Sequence, residues 1–129
     1  MASAVKYEVF SENLAEGVHN LDTGTIKIVL TNSAPNVATH VTLSDVTQIS
    51  NGNGYTTGGE DTQNATSRSG GTTTVTAVDV VWTASGSVGP FRYVVAYNDT
   101  PTSPADPLIE YWDYGSSITL ASGETFTVS

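Results

Sequence analysis

The feature that most constrains this chain is a succession of short β-favouring runs in its C-terminal half, each closed by Gly, Pro, Asn or Ser. Residues 72–84 are rich in Thr and Val, with Val75, Ala77, Val80 and Trp82 as candidate core positions. Ala84-Ser85-Gly86-Ser87 then reads as a turn. Residues 91–97 form the clearest strand, and a Pro-bearing connection over 98–107 leads to a second strand over 108–114. Gly115-Ser116-Ser117 predicts a turn. Residues 118–120 and 124–128 read as closing strands joined by Ala121-Ser122-Gly123. Short strands at this spacing predict a sandwich or a barrel.

The N-terminal part is mixed. Tyr7-Glu8-Val9-Phe10 alternates polar and apolar residues, which predicts a short strand or an arm, and residues 1–10 are expected to reach across a neighbouring subunit. Residues 11–20 predict a helix capped by Ser11, with Glu12 in its first turn and Phe10, Leu14 and Val18 on one face. Gly17 weakens that helix, and Asp22-Thr23-Gly24 is a turn. Residues 25–31 alternate Ile26, Ile28 and Leu30 with more polar neighbours, the period of a half-buried strand. Ala34-Pro35-Asn36 breaks it. Leu43, Val46 and Ile49 have helical spacing, and Ser44-Asp45 suits a cap. Residues 51–71 are a polar stretch whose one large apolar residue is Tyr55. Asn51-Gly52-Asn53-Gly54 suits positive φ angles. The stretch is expected to be a long exposed loop packed against a neighbouring subunit.

Composition narrows what such a fold can do. The 129 residues fit one domain spanning the chain. No cysteine is present, which excludes disulfides and thiolate metal sites. No apolar run of membrane-spanning length occurs, so no membrane partner is expected. The first residues lack a signal-peptide pattern, so synthesis in a bacterial cytoplasm is the expectation. The net charge is −9, with Lys6, Lys27, Arg68 and Arg92 as the fixed cations. A chain so short of Lys and Arg repels phosphate, and no nucleic-acid partner is expected. An acidic surface keeps a protein soluble and also suits docking on a basic protein surface.

Catalytic signatures are weak. His19 and His40 are the near-neutral bases, and neither belongs to a recognisable ligand pair. Each reads as a partly exposed or capping residue. Gly52-Asn53-Gly54 followed by Gly58 misses the dinucleotide fingerprint by one position and lacks its strand-to-helix context. Asp99, Asp106, Glu110 and Asp113 lie close in sequence, as a glycosidase pair or a Ca²⁺ site requires. Their spacing matches no EF-hand, and Asn98-Asp99 and Asp106-Pro107 are ordinary turn pairs. No catalytic residue, cofactor or metal is therefore expected. The aromatics are more informative. Tyr111 and Trp112 are adjacent on a strand, so they face opposite ways, and one should reach an outer surface. With Tyr114 they make candidate interface anchors. The protein-binding candidates are thus Tyr7, Val9, Phe10, Tyr55, Tyr111, Trp112 and Tyr114.

An ordered set of segments carries a family resemblance. They are Asn13-Leu14-Ala15-Glu16-Gly17-Val18-His19-Asn20-Leu21, residues 26–35, Gly52-Asn53-Gly54-Tyr55, Gly89-Pro90-Phe91-Arg92-Tyr93 and Tyr111-Trp112-Asp113-Tyr114-Gly115. Together they resemble small virion structural proteins of tailed bacteriophages, most like capsid decoration (cement) proteins. The resemblance implies a mainly β, single-domain antiparallel β-sandwich, jelly-roll-like, with one or two short helices. It also implies a non-enzymatic homotrimer on the outer surface of the phage head that binds the major capsid protein and stabilises the shell. Tail, neck or fibre modules share the same sequence features. A carbohydrate-binding module built on the exposed aromatics is the alternative from another class.

Overall fold

The computed structural model describes residues 3–129. Met1 and Ala2, the start of the expected arm, lie outside the described residues. The protein is mainly β, with antiparallel pairing throughout and one short helix. The main sheet has five strands: β1 (Val5–Lys6), β2 (Ile26–Thr31), β3 (Glu60–Asp61), β7 (Val88–Asn98) and β8 (Leu108–Leu120). Their spatial order is β1-β8-β7-β2-β3. Two further two-stranded ribbons pair β4 (Ala65–Ser69) with β5 (Thr72–Thr76), and β6 (Val80–Thr83) with β9 (Thr125–Val128). The strand pairings are those of single sheets, and they do not establish a sandwich or a jelly roll.

The main sheet is covered on both faces, which the half-buried reading of β2 missed. Ile26, Ile28 and Leu30 point into a first core with Val94 and Ala96 of β7, and Trp82 of the β6–β9 ribbon lies in the same cluster, with Phe126 packed against it. Val29 points the other way and is fully buried in a second core with Tyr7, Val95, Tyr97 and Leu108. Val37, Leu43 and Val46 cover that second core from the connection after β2. β-Branched residues on both faces suit a strand buried on both sides. Burial of each large apolar side chain here contributes about 1.5–3 kcal/mol.

The N-terminal segment departs from the expected arm. Val5 and Lys6 pair with Tyr111 and Glu110 of β8, and the Tyr7 N–H donates to the Ile109 carbonyl at 3.0 Å. Tyr7 is only 1% exposed, in the second core, while Phe10 is buried in the first. Residues 5–10 thus wrap the β8 edge of their own sheet, because two large aromatics gain more by burial than by extension into water.

The helix α1 spans Glu8–Ala15, three residues ahead of the expected start at Ser11. Tyr7 precedes it in extended conformation without a side-chain cap, and Glu8 complements the dipole of the first turn. Gly17 ends it: with φ +77°, its N–H reaches the Leu14 carbonyl and the Val18 N–H reaches the Asn13 carbonyl. That is a Schellman stop, which glycine's tolerance of positive φ permits. The helical face is correspondingly short, and Leu14 is exposed.

β8 runs unbroken through Gly115-Ser116-Ser117, where a turn was expected. Gly115 has φ +103° inside the strand, and Ile118 and Leu120 continue to pair with β7. The 43–49 segment holds a single 3-10 turn, Leu43–Asp45, capped by Thr42 and Asp45. In the Thr/Val run, Val80 and Trp82 are core residues as expected, whereas Val75 is 48% exposed and Ala77 is also exposed.

Candidate functional site

Three of the seven candidate contact residues lie on β8, and the others meet them from inside the two cores rather than on a shared surface, Tyr7 edge-on to Tyr111 at 5.9 Å. Tyr111 and Trp112 face opposite sides of the sheet. Tyr111 packs at the second core and Trp112 at the first, and each is half-buried. Tyr114, on the same face as Trp112, is 56% exposed. Tyr7, Phe10 and Tyr55 are buried inside the chain, and Val9 is half-buried against the second core. Tyr7, Phe10 and Tyr55 therefore offer no anchor face to a partner in this fold.

Tyr55 shows why the 51–71 stretch is not simply an exposed loop. Its ring stacks near Trp82, with centroids 6.3 Å apart. Its hydroxyl accepts the Leu30 N–H and donates to Gln48 Oε1 at 2.8 Å. Gly59 lies so close to β2 that a Cβ there would collide with the Ile28 carbonyl, and its φ of +77° suits glycine.

β8 is paired by β1 only at Glu110 and Tyr111. From Asp113 to Ser117 its outer edge has no strand partner among the described residues. Beside this edge runs an open groove between β8 and β9, lined by Val94, Trp112, Tyr114, Phe126 and Val128. Phe126 organises it. It meets Tyr114 edge-on at 5.8 Å, Phe91 at 4.9 Å and Trp82 at 6.2 Å. Sequence reading did not single out Phe126, although its β-favouring alternation with Val128 was the available signal.

A charged clamp holds the neighbouring strands in register. Arg92 Nε donates to Asp113 Oδ1 at 2.8 Å and its Nη2 to Oδ2 at 3.1 Å. Asp113 Oδ1 also accepts the Gly115 N–H at 2.8 Å, beside the irregular glycine. The Arg92 guanidinium and this N–H hold the Asp113 carboxyl below the usual carboxylate range. Arg92 also lies over the Tyr93 ring, 5.4 Å from its centroid.

The acidic residues near residues 98–114 disperse into separate roles. Asp99 pairs with Lys27 at 3.2 Å. Burial, followed by the Asp99 charge, raises the Asp106 carboxyl. Glu110 faces an apolar groove on the far side of β8 from Asp113's clamp, and burial raises its carboxyl too. Among the described residues no group of three His, Asp or Glu side chains is placed to hold a metal ion. His19 is buried rather than partly exposed. Its Nδ1 accepts from the Asn98 amide at 3.1 Å, and its ring packs on Phe10. His40 Nδ1 accepts the Asn36 N–H in a loop.

The β4–β5 ribbon joins the end of the stretch expected to be an exposed loop, residues 51–71, to the start of the Thr/Val run, and sequence reading did not pair the two. Nearly every residue in it is exposed. Gly70-Gly71 between two β-favouring runs was its signal, since a two-residue glycine turn suits a hairpin.

No protein-family model matches the chain, and comparison with curated proteins and with solved structures finds no match.

Proposed function

We propose that this chain is a tailed-bacteriophage virion structural protein of the capsid-decoration kind. It binds the outer surface of the assembled head through the major capsid protein, as a homotrimer, and stiffens the shell without catalysing a reaction. The observation that carries the reading is the β8 margin, where exposed Tyr114 and half-buried Trp112 flank a strand edge that no neighbouring strand pairs among the described residues. An aromatic pair beside an open edge supplies both anchor side chains and backbone pairing to a protein partner. The ordered sequence resemblance supports the same class. The net charge of −9 favours a basic patch on the shell as the docking surface. In this reading the β6–β9 ribbon is the second, shorter layer of a small sandwich. Repetition over a shell lattice turns modest single contacts into high avidity.

Cryo-electron microscopy of purified virions tests this. Density for the chain on the outer head, at junctions between shell subunits, is expected. Density at the tail, neck or fibre replaces the decoration mechanism with the tail-module reading. Absence from the particle, together with binding on a glycan array, moves the function to carbohydrate recognition at the β8–β9 aromatics.

A further inference from the structure

We infer that Asn53 is a site of spontaneous covalent modification. Its side-chain amide is lost through attack by the Gly54 nitrogen, and the carboxylate left behind loosens the turn that seats Tyr55. The inference is independent of the virion reading above.

The chain has two Asn-Gly steps, Asn51-Gly52 and Asn53-Gly54, within one turn. Glycine carries no Cβ, so its nitrogen is the least hindered nucleophile that can follow an asparagine. That nitrogen bonds to the Asn Cγ and gives up its proton. The Cγ–Nδ2 bond breaks, ammonia leaves with the proton, and a five-membered imide remains. Water then adds at either imide carbonyl. The products are aspartate and its isomer, in which the backbone runs through Cβ and Cγ. Water is the one co-reactant, and nothing is oxidised or reduced.

The structure separates the two steps. The Gly52 N–H donates to the Tyr55 carbonyl at 2.7 Å, and Asn51 Oδ1 accepts the Thr57 N–H at 2.8 Å. Reaction at Asn51 must therefore break a bond at the nucleophile and another at the amide. The Gly54 N–H makes no hydrogen bond among the described residues. The carbonyl of its peptide unit, that of Asn53, accepts the Ser85 N–H at 3.0 Å. That bond polarises the amide and makes the Gly54 N–H easier to deprotonate. Asn53 itself is exposed at φ +56°, and its side chain is held by one bond, from Nδ2 to the Ser87 carbonyl at 3.1 Å. The fold also fixes glycine after it. Gly54 has φ +106°, and a Cβ there would strike the Thr83 carbonyl.

The product fits this turn badly. Loss of Nδ2 sets a carboxylate against the Ser87 carbonyl, acceptor against acceptor. The carboxamide also lies against Gly86, so closely that a Cβ on Gly86 would come within 2.7 Å of Asn53 Cγ. The isomer adds a methylene to the backbone between Gly52 and Tyr55, which exchange two backbone bonds at 2.7 and 3.1 Å. Tyr55 is the residue whose hydroxyl takes the Leu30 N–H.

The test incubates the purified full chain in mildly alkaline buffer, folded or unfolded in urea, and maps both sites by peptide mass spectrometry. In urea the two steps should react at similar rates. In the folded chain Asn53 should react about fivefold faster than Asn51, which has one more hydrogen bond to break. Both aspartate and its isomer are expected at 53, since the imide opens at either carbonyl. Asn53→Asp should lower the urea midpoint, whereas Asn51→Asp, still an acceptor for the Thr57 N–H, should leave it near the wild type. A folded chain in which Asn51 reacts first or equally fast, in which neither reacts, or in which 53 yields aspartate without the isomer would overturn the proposal. An Asn53→Asp variant as stable as the wild type would overturn it as well.

Discussion

The Tyr55 hydroxyl accepts the backbone N–H of Leu30 at 3.2 Å, from the core side of β2. β3 pairs with β2 only at Lys27 and Ile28; beyond that point the phenol takes the Leu30 N–H, while the Leu30 carbonyl accepts from the Ile49 N–H and Thr31 bridges to Gln48. Tyr55→Phe removes this acceptor and also the bond to Gln48. The change should cost about 1–3 kcal/mol, because a buried N–H is left unsatisfied while the ring still packs. Urea denaturation measures it, and a midpoint equal to the wild type would remove Tyr55 from the list of structural supports.

Alkaline unfolding should be steep. Burial pushes the Tyr55 phenol up to about 12, and it raises Tyr7 and Tyr97 further in the same direction. In the unfolded chain these groups ionise near the ordinary value of about 10. Above that pH the unfolded state has lost protons the folded state still holds, so stability falls as pH rises. Tyrosinate absorbance should show these three ionising together with the loss of circular dichroism rather than before it.

His19 produces a slope of opposite sign on the acid side. Burial lowers its pKa, so the folded ring is neutral when an unfolded one begins to take a proton near pH 6.5. Its contribution is full above that pH and is lost as pH falls towards the folded value. Asp106 and Glu110, raised by burial, contribute in the other direction, being stabilising at low pH and less so as pH rises through their folded values. His19→Gln isolates the histidine: the difference in stability between wild type and variant should shrink between pH 7 and pH 5. A constant difference would contradict the assignment.

Tyr114 and Trp112 should separate binding from folding. Tyr114 is exposed, so Tyr114→Ala should change stability by no more than about 0.5 kcal/mol. Trp112 is half-buried against the first core, and its alanine variant should lose about 2 kcal/mol, less than the 3–5 typical of a fully buried Trp, and stay folded. Under the proposed decoration role, both should lower occupancy on heads depleted of the protein. Full occupancy with both variants would clear β8 of a role in attachment.

Tyr7→Ala is expected to act through stability instead. The ring sits in the second core, 5.9 Å from Tyr111, so its loss should cost about 3–5 kcal/mol. An N-terminal arm predicts weak attachment in a fully stable protein. Thermal unfolding of the variant distinguishes the two.

Much of this architecture is legible in the chain itself. Alternation identified β2, the centre of β7 and the start of β8, and side-chain parity on a strand required Tyr111 and Trp112 to part company. Local pattern could not say which apolar residues find cover. Val75 and Val80 look alike in sequence, yet Val80 lies under the first core and Val75 stands on an open ribbon. Tyr7 and Phe10 read as an arm because alternation says nothing about where a segment docks, and their own sheet edge captured them. Gly115 read as a turn because glycine favours positive φ, yet cross-strand pairing with β7 carries β8 through it. Sequence by itself therefore determined the strand period, the absence of covalent staples and the acidic balance, since these are local or compositional properties. Tertiary structure decided burial, edge exposure and the meeting of Trp112, Tyr114 and Phe126, because those depend on contacts between residues far apart in the chain.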